Sequence, residues 1–89
     1  MKKLVTVQEV EEAGLITLLG KKIMVFCTNY IYSGILEGVN DKVIELKDAH
    51  IVYETGPLND AKFKDAQRVS DSLLITLSAI EAVTETSKV

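Results

Sequence analysis

The residues best suited to chemistry in this 89-residue chain are cationic and aromatic rather than nucleophilic. Lys62-Phe63-Lys64, followed by Arg68, sets three cations around one flat ring. Cations neutralise phosphates and an aromatic ring stacks on bases, so this group is a candidate contact for single-stranded RNA. Asp60 and Asp65 dilute the charge, and the plainer reading is a solvated loop with Phe63 tucked onto the body of the protein. Asn40-Asp41-Lys42 places two turn formers before a lysine. A hairpin turn accounts for the first two residues, and a polar contact to a base is the sharper alternative. Tyr30 and Tyr32 fall on one face of a strand, where they either stack on bases or pack in a core or a subunit interface. Cys27 and His50 supply a thiol and an imidazole, but nothing in the sequence places them side by side. A free cysteine is usually a small buried apolar residue. The sequence carries no Ser/His/Asp set, paired-carboxylate site, metal-ligand cluster or phosphate-binding glycine loop. The expectation is a protein that is not an enzyme, with no catalytic residues, no metal and no cofactor.

These side chains depend on the elements that hold them. Ser33-Gly34-Ile35-Leu36-Glu37-Gly38-Val39, then Asn40-Asp41, then Lys42-Val43-Ile44-Glu45-Leu46-Lys47-Asp48-Ala49 reads as two strands around one tight turn. Gly34 and Gly38 are four apart and fall on one strand face. Glycine inside a strand marks a bend or a close backbone approach, and two on one face suit a strand curled into a small barrel. Upstream, Thr6-Val7-Gln8-Glu9 fits a capping box, with Val7, Val10, Gly14 and Leu18 at helical spacing and Gly20 as a stop, giving a helix over about 6–19. Ile23-Met24-Val25-Phe26-Cys27 is a strand covered on both sides, and Thr28-Asn29 is a short turn. Strands follow over 30–39 and 43–55. In the second of these the apolar phase slips by one residue after Leu46, which predicts a bulge at Asp48-Ala49-His50. Residues 56–72 read as a long loop, with a short turn of helix allowed over 61–67. The fourth and fifth strands are 73–77 and 80–83, and 84–89 is a polar, frayed tail.

The Gly-x-Leu-x-Gly pattern, the acidic turn and the apolar strand ending in Asp48-Ala49 resemble the first motif of the Sm-like (LSm) family. The second motif of that family, Ile-Arg-Gly-Asn-x-Ile, aligns with Ile75-Thr76-Leu77-Ser78-Ala79-Ile80. Thr76 stands at the Arg position and Leu77 at the Gly position, and the Asn that follows the acidic turn in RNA-binding members has no clear counterpart. The resemblance covers roughly residues 20–83. It implies a mostly β fold: a small five-stranded, strongly bent antiparallel barrel, Sm-like and SH3-type, with an N-terminal α-helix. The whole of 1–89 would be one domain, with the barrel at about 22–83. It also implies a homo-oligomeric ring of six or seven copies, a smaller ring being left open. Neighbours in such a ring pair the fourth strand of one subunit with the fifth of the next, which points to Leu73, Ile75, Ile80, Ala82 and Val83 as interface residues. RNA in the family passes the pore, lined here by Asn40, Asp41 and Lys42 and by Thr76 and Ser78.

Composition fits this reading. A single short chain with 47% apolar and 26% charged residues is globular, and its limited core favours oligomerisation. A net charge of −3 excludes a wholly basic nucleic-acid binder but not a local basic patch. One cysteine excludes an intrachain disulfide and suits a reducing compartment. Gln8, Glu9, Glu11 and Glu12 interrupt what would be a signal peptide, and the uncharged run 23–36 is short for a membrane span. The expectation is a cytoplasmic, non-catalytic ring that binds single-stranded RNA, A- or U-rich by preference, with no membrane partner. The alternative is a structural or protein-binding ring that has lost the RNA pocket.

Overall fold

A computed structural model describes residues 14–89. Of the helix expected over 6–19, residues 6–13 lie outside the described residues. Its described end is a single 3-10 turn, Leu15–Leu18. Thr17 Oγ1 donates back to the Gly14 carbonyl at 2.7 Å, and Gly20, at φ 82°, takes the chain out of the turn as a left-handed stop. No helix among the described residues is long and apolar enough to cross a membrane.

Six strands follow: β1 (Lys22–Cys27), β2 (Ile31–Val39), β3 (Val43–Glu54), β4 (Asp65–Ser70), β5 (Leu73–Thr76) and β6 (Ile80–Glu85). They form one antiparallel sheet in the order β4-β3-β2-β1-β6, with β5 also on β3. The sheet corrects the expectation of five strands and a loop over 56–72, because Asp65–Ser70 is a strand. β4 and β5 lie end to end along β3: Ala49 faces Ser70 and Leu46 faces Leu73. They act as one long strand interrupted at Asp71-Ser72. β4 shows no apolar alternation because almost all of it is exposed, at the rim of the sheet.

The bend sits where the sequence phase slips. Ser33 faces His50 and Ile35 faces Lys47, so β3 spends one more residue than β2 across this step. Asp48 holds the extra residue at φ 52°. Gly34 lies opposite. A Cβ there would meet the Lys47 carbonyl oxygen at 2.9 Å, Leu46 Cβ at 3.1 Å and Ala49 Cα at 3.3 Å. Gly38 does not share this role. A Cβ on it would meet only Glu45 Oε1 at 3.8 Å, and a register shift between Leu36 and Gly38 takes the two glycines out of phase.

The concave face closes on Ile23, Val25, Leu36, Ile44, Leu46, Ala49 and Ile75. Met24 and Val52 point to the opposite face yet are 4% and 3% exposed. The chain beyond β3 and the C-terminal residues come back over this side. The tail is therefore not frayed. Thr86 N–H donates to the Lys22 carbonyl, Val89 N–H to the Ala61 carbonyl and Phe63 N–H to the Val89 carbonyl, at 2.7–3.0 Å. Lys88 is 3% exposed. Its ammonium donates to the carbonyls of Pro57, Asp60 and Lys62 at 2.9, 2.8 and 3.1 Å. An ammonium has three donors, and all three are matched.

Candidate functional site

The two turns expected at a pore meet in the fold. Leu77 N–H donates to the Lys42 carbonyl at 2.8 Å, so the β2–β3 turn abuts the β5–β6 turn. The second turn is a 3-10 turn, Leu77–Ala79. The first is built by Asn40. Its side-chain oxygen accepts the amides of Lys42 at 2.7 Å and Val43 at 2.9 Å, and its own N–H donates to the Val43 carbonyl at 3.0 Å. Side-chain closure of this kind is why Asn favours turns. It also leaves only the amide nitrogen of Asn40 for another partner. Asp41, Lys42, Thr76 and Ser78 are exposed around this junction.

The cations expected in one basic loop are divided between two settings. Lys62 and Lys64 are exposed on the 55–64 connection. Arg68 stands on β4, where it ion-pairs with Asp48 at 3.1 Å and with Asp71. The hydrogen bond to Asp48, with the charge of Asp71, holds its guanidinium above its ordinary pKa. Its charge is thus already met by two carboxylates. Phe63 is tied down rather than loose: the Lys88 ammonium lies 5.4 Å from its ring centroid, a cation–π distance.

The apolar interface candidates also divide. Ile75 is 6% exposed and belongs to the core of its own chain, with Leu73, Ile80 and Val83 packed against that core. Ala82 is exposed on β6. Leu74, 63% exposed, is the apolar side chain that β5 presents outward; the alternation of β5 about Ile75 is the signal that marks it. Beside β5 is a cleft of about 250 Å³, bordered by Tyr30, Tyr32, Leu74 and Thr76. The Tyr30 and Tyr32 ring centroids are 6.3 Å apart, tilted by 60°. Burial first, then the neighbouring Cys27, Tyr30 and Tyr53, raises the Tyr32 pKa.

Cys27 and His50 do not meet. His50 pairs with Ser33, while Cys27 lies at the far end of β1 opposite Ile80. Burial first, then the Glu81 carboxylate, pushes the Cys27 thiol pKa up, the reverse of what activates a nucleophile. Two features escaped the sequence. Lys88 carries no local signal, since its acceptors are 26 to 31 residues away. The cleft between the tail and the convex face of the sheet depends on that same closure.

No protein-family model matches the chain, and no curated protein matches it. Among solved structures it resembles a heptameric archaeal Sm protein, one described as having implications for the eukaryotic snRNP core. The match has a TM-score of 0.61 at 13% identity and covers 92% of this chain and 97% of that one. Identity this low speaks for the path of the backbone alone. With the mostly β, strongly bent antiparallel sheet described above, it establishes that this chain has an Sm-like fold.

Proposed function

We propose that the chain assembles with copies of itself into a ring of six or seven subunits, and that the ring binds single-stranded RNA through the Lys42 turns without catalysis. The observation that carries this reading is the sheet path. β6 pairs only with β1, and β5 only with β3, among the described residues. An open edge offers unpaired N–H and C=O groups and recruits another strand. The two edges differ in sequence, so β6 of one copy meets β5 of the next head to tail. Contacts of that kind generate closed rings when the rotation fits. The solved neighbour is itself a heptamer. Repetition then multiplies each turn: one Lys42 per subunit becomes a circle of cations in an otherwise acidic chain.

A second reading, a ring that holds protein or only itself, is favoured by the turn chemistry. Thr76 and Leu77 stand where the Sm pattern has Arg and Gly, and the oxygen of Asn40 is spent inside its own turn. Two measurements separate these. Ala82→Pro removes one backbone donor from β6, and its native mass by sizing with light scattering should fall to that of a smaller species. An unchanged mass rejects edge pairing, and a monomeric wild type rejects the ring. Lys42→Ala should weaken binding of short oligo-A or oligo-U at low salt. It should also flatten the salt dependence, since each neutralised phosphate adds about 0.7 to the logarithmic slope. Wild-type protein that binds neither oligonucleotide leaves the structural ring as the function.

A further inference from the structure

The convex side of the sheet carries a cleft of about 470 Å³ that shares no residue with the two turns. Ser33 and His50, cross-strand partners on β2 and β3, border it with Lys22 from β1 and Phe63-Lys64 from the loop, and Val89 closes one end. Ser33 is the informative member. It is 1% exposed, and its hydroxyl has no hydrogen-bond partner among the described residues. Buried polar groups are nearly always paired, and an unpaired one calls for an explanation. Nearby serines are satisfied: Ser70 donates to the Ser72 carbonyl at 2.9 Å and Ser72 to Glu45 Oε2 at 2.6 Å. A β-branched apolar residue would suit this strand position better on packing grounds alone.

The groups around Ser33 have complementary chemistry. His50 uses Nδ1 on the Asp48 carbonyl at 3.1 Å, which leaves Nε2 for another partner. Lys22 and Lys64 bring two ammonium groups; of the two bordering carboxylates, Asp48 is engaged by Arg68 at 3.1 Å and Asp65 remains. The two lysines are matched in number by these two carboxylates, and Asp48 is drawn toward Arg68 and away from them. Phe63 adds a flat apolar wall, held in place by Lys88. An aromatic wall, a few convergent hydrogen-bonding groups and a pair of lysines are the parts that hold a stacked base and its phosphate.

We propose that this cleft binds a nucleoside 5′-monophosphate unit, free or at the end of an RNA strand. Its base lies along Phe63 with its polar edge toward Ser33 and His50, and its phosphate meets Lys22 and Lys64. No residue of the two turns, of β5 or of β6 lines this cleft.

The test is a titration of the full chain with AMP, UMP and inorganic phosphate, followed by amide NMR. A parallel arm uses a short oligonucleotide with and without a 5′-phosphate. Either nucleotide should shift the amides of residues 33, 50, 63 and 64. Ser33→Ala and Lys64→Ala should each weaken binding of AMP and UMP about three- to tenfold, the loss of one hydrogen bond or charge contact. Tighter binding of the 5′-phosphorylated oligonucleotide identifies an RNA end as the ligand, and equal or weaker binding identifies the free nucleotide. Ser33→Ala keeps the strand and removes an unsatisfied hydroxyl, so it should melt no lower than wild type. A clear drop in its melting temperature would mean the hydroxyl serves the fold, and would overturn the site. So would phosphate binding as well as the nucleotides, binding insensitive to both variants, or no binding of AMP or UMP. Any of these alongside Lys42-dependent RNA binding removes the cleft and leaves the pore reading standing.

Discussion

Replacing Gly34 tests the bend and the bulge together. The φ of Gly34 is not positive, so alanine meets no backbone penalty there. Only contact opposes it. The added Cβ would lie 2.9 Å from the Lys47 carbonyl oxygen, 3.1 Å from Leu46 Cβ and 3.3 Å from Ala49 Cα. None of these atoms is the free end of a flexible side chain. The oxygen belongs to the peptide that enters the left-handed Asp48, so relief requires moving the bulge itself. Overpacking of this kind costs about 1–3 kcal/mol. Against it, alanine gains roughly 0.5–1 kcal/mol by restricting the unfolded chain. The balance is a loss of roughly 0–2.5 kcal/mol, centred a little above 1 kcal/mol. For a chain of this size 1 kcal/mol moves the melting temperature by about 4–8 °C, so at that centre Gly34→Ala should melt roughly 5–10 °C lower. Gly34→Val carries two more methyls into the same space and should be worse. The control is one residue away and opposite in sign: Ser33→Val fills a buried strand position whose hydroxyl has no partner, and should be neutral or stabilising. Thermal unfolding followed by far-ultraviolet circular dichroism decides it, at matched protein concentration because association raises apparent stability. A Gly34→Ala protein that melts within about 2 °C of wild type would refute the close-approach argument.

The remaining predictions concern the tail and the thiol. Lys88→Met removes the ammonium that gathers the carbonyls of Pro57, Asp60 and Lys62. It should cost about 2 kcal/mol and raise hydrogen exchange at Phe63 and Val89, while exchange at β2 stays put. Lys88→Arg should not rescue it fully, because the three carbonyls converge on one point, whereas a guanidinium is larger and spreads its donors in one plane; full rescue would show that charge alone holds the tail. Cys27 should react slowly with iodoacetamide at pH 8, and Glu81→Gln should quicken the reaction by removing the second cause of its raised pKa. Because the folded thiol holds its proton to higher pH, its contribution to stability is complete below the unfolded-state thiol pKa. That contribution is lost as pH rises through the folded one, so the stability of wild type relative to Cys27→Ala should decline through the thiol range.

What was legible in the sequence was whatever leaves a local trace. The phase slip after Leu46 marked the bulge because Ile44 and Leu46 are buried before Asp48 and Ala49, one residue out of step with them, is buried after it. Gly34 marked the bend because no other residue fits beneath Lys47. Gly38 was misread for the same reason: spacing alone cannot see that a register shift lies between the two glycines. The strand pairing that the resemblance implies pointed to Leu73, Ile75, Ile80, Ala82 and Val83; of these Ile75 fills its own core, and the exposed Leu74 of β5 lay outside that set. Lys88 was invisible because its three acceptors are backbone carbonyls, which every residue has, and only the fold says which ones converge. β4 was missed for a deeper reason. A strand declares itself by alternation, and alternation needs one face buried. Asp65–Ser70 has a partner on one side, open space on the other and little covering it above or below. The exposure that makes β4 an edge is therefore also what erased its pattern. The same argument predicts that in strongly bent sheets of this kind the segments hardest to see in sequence are the ones left open to a partner.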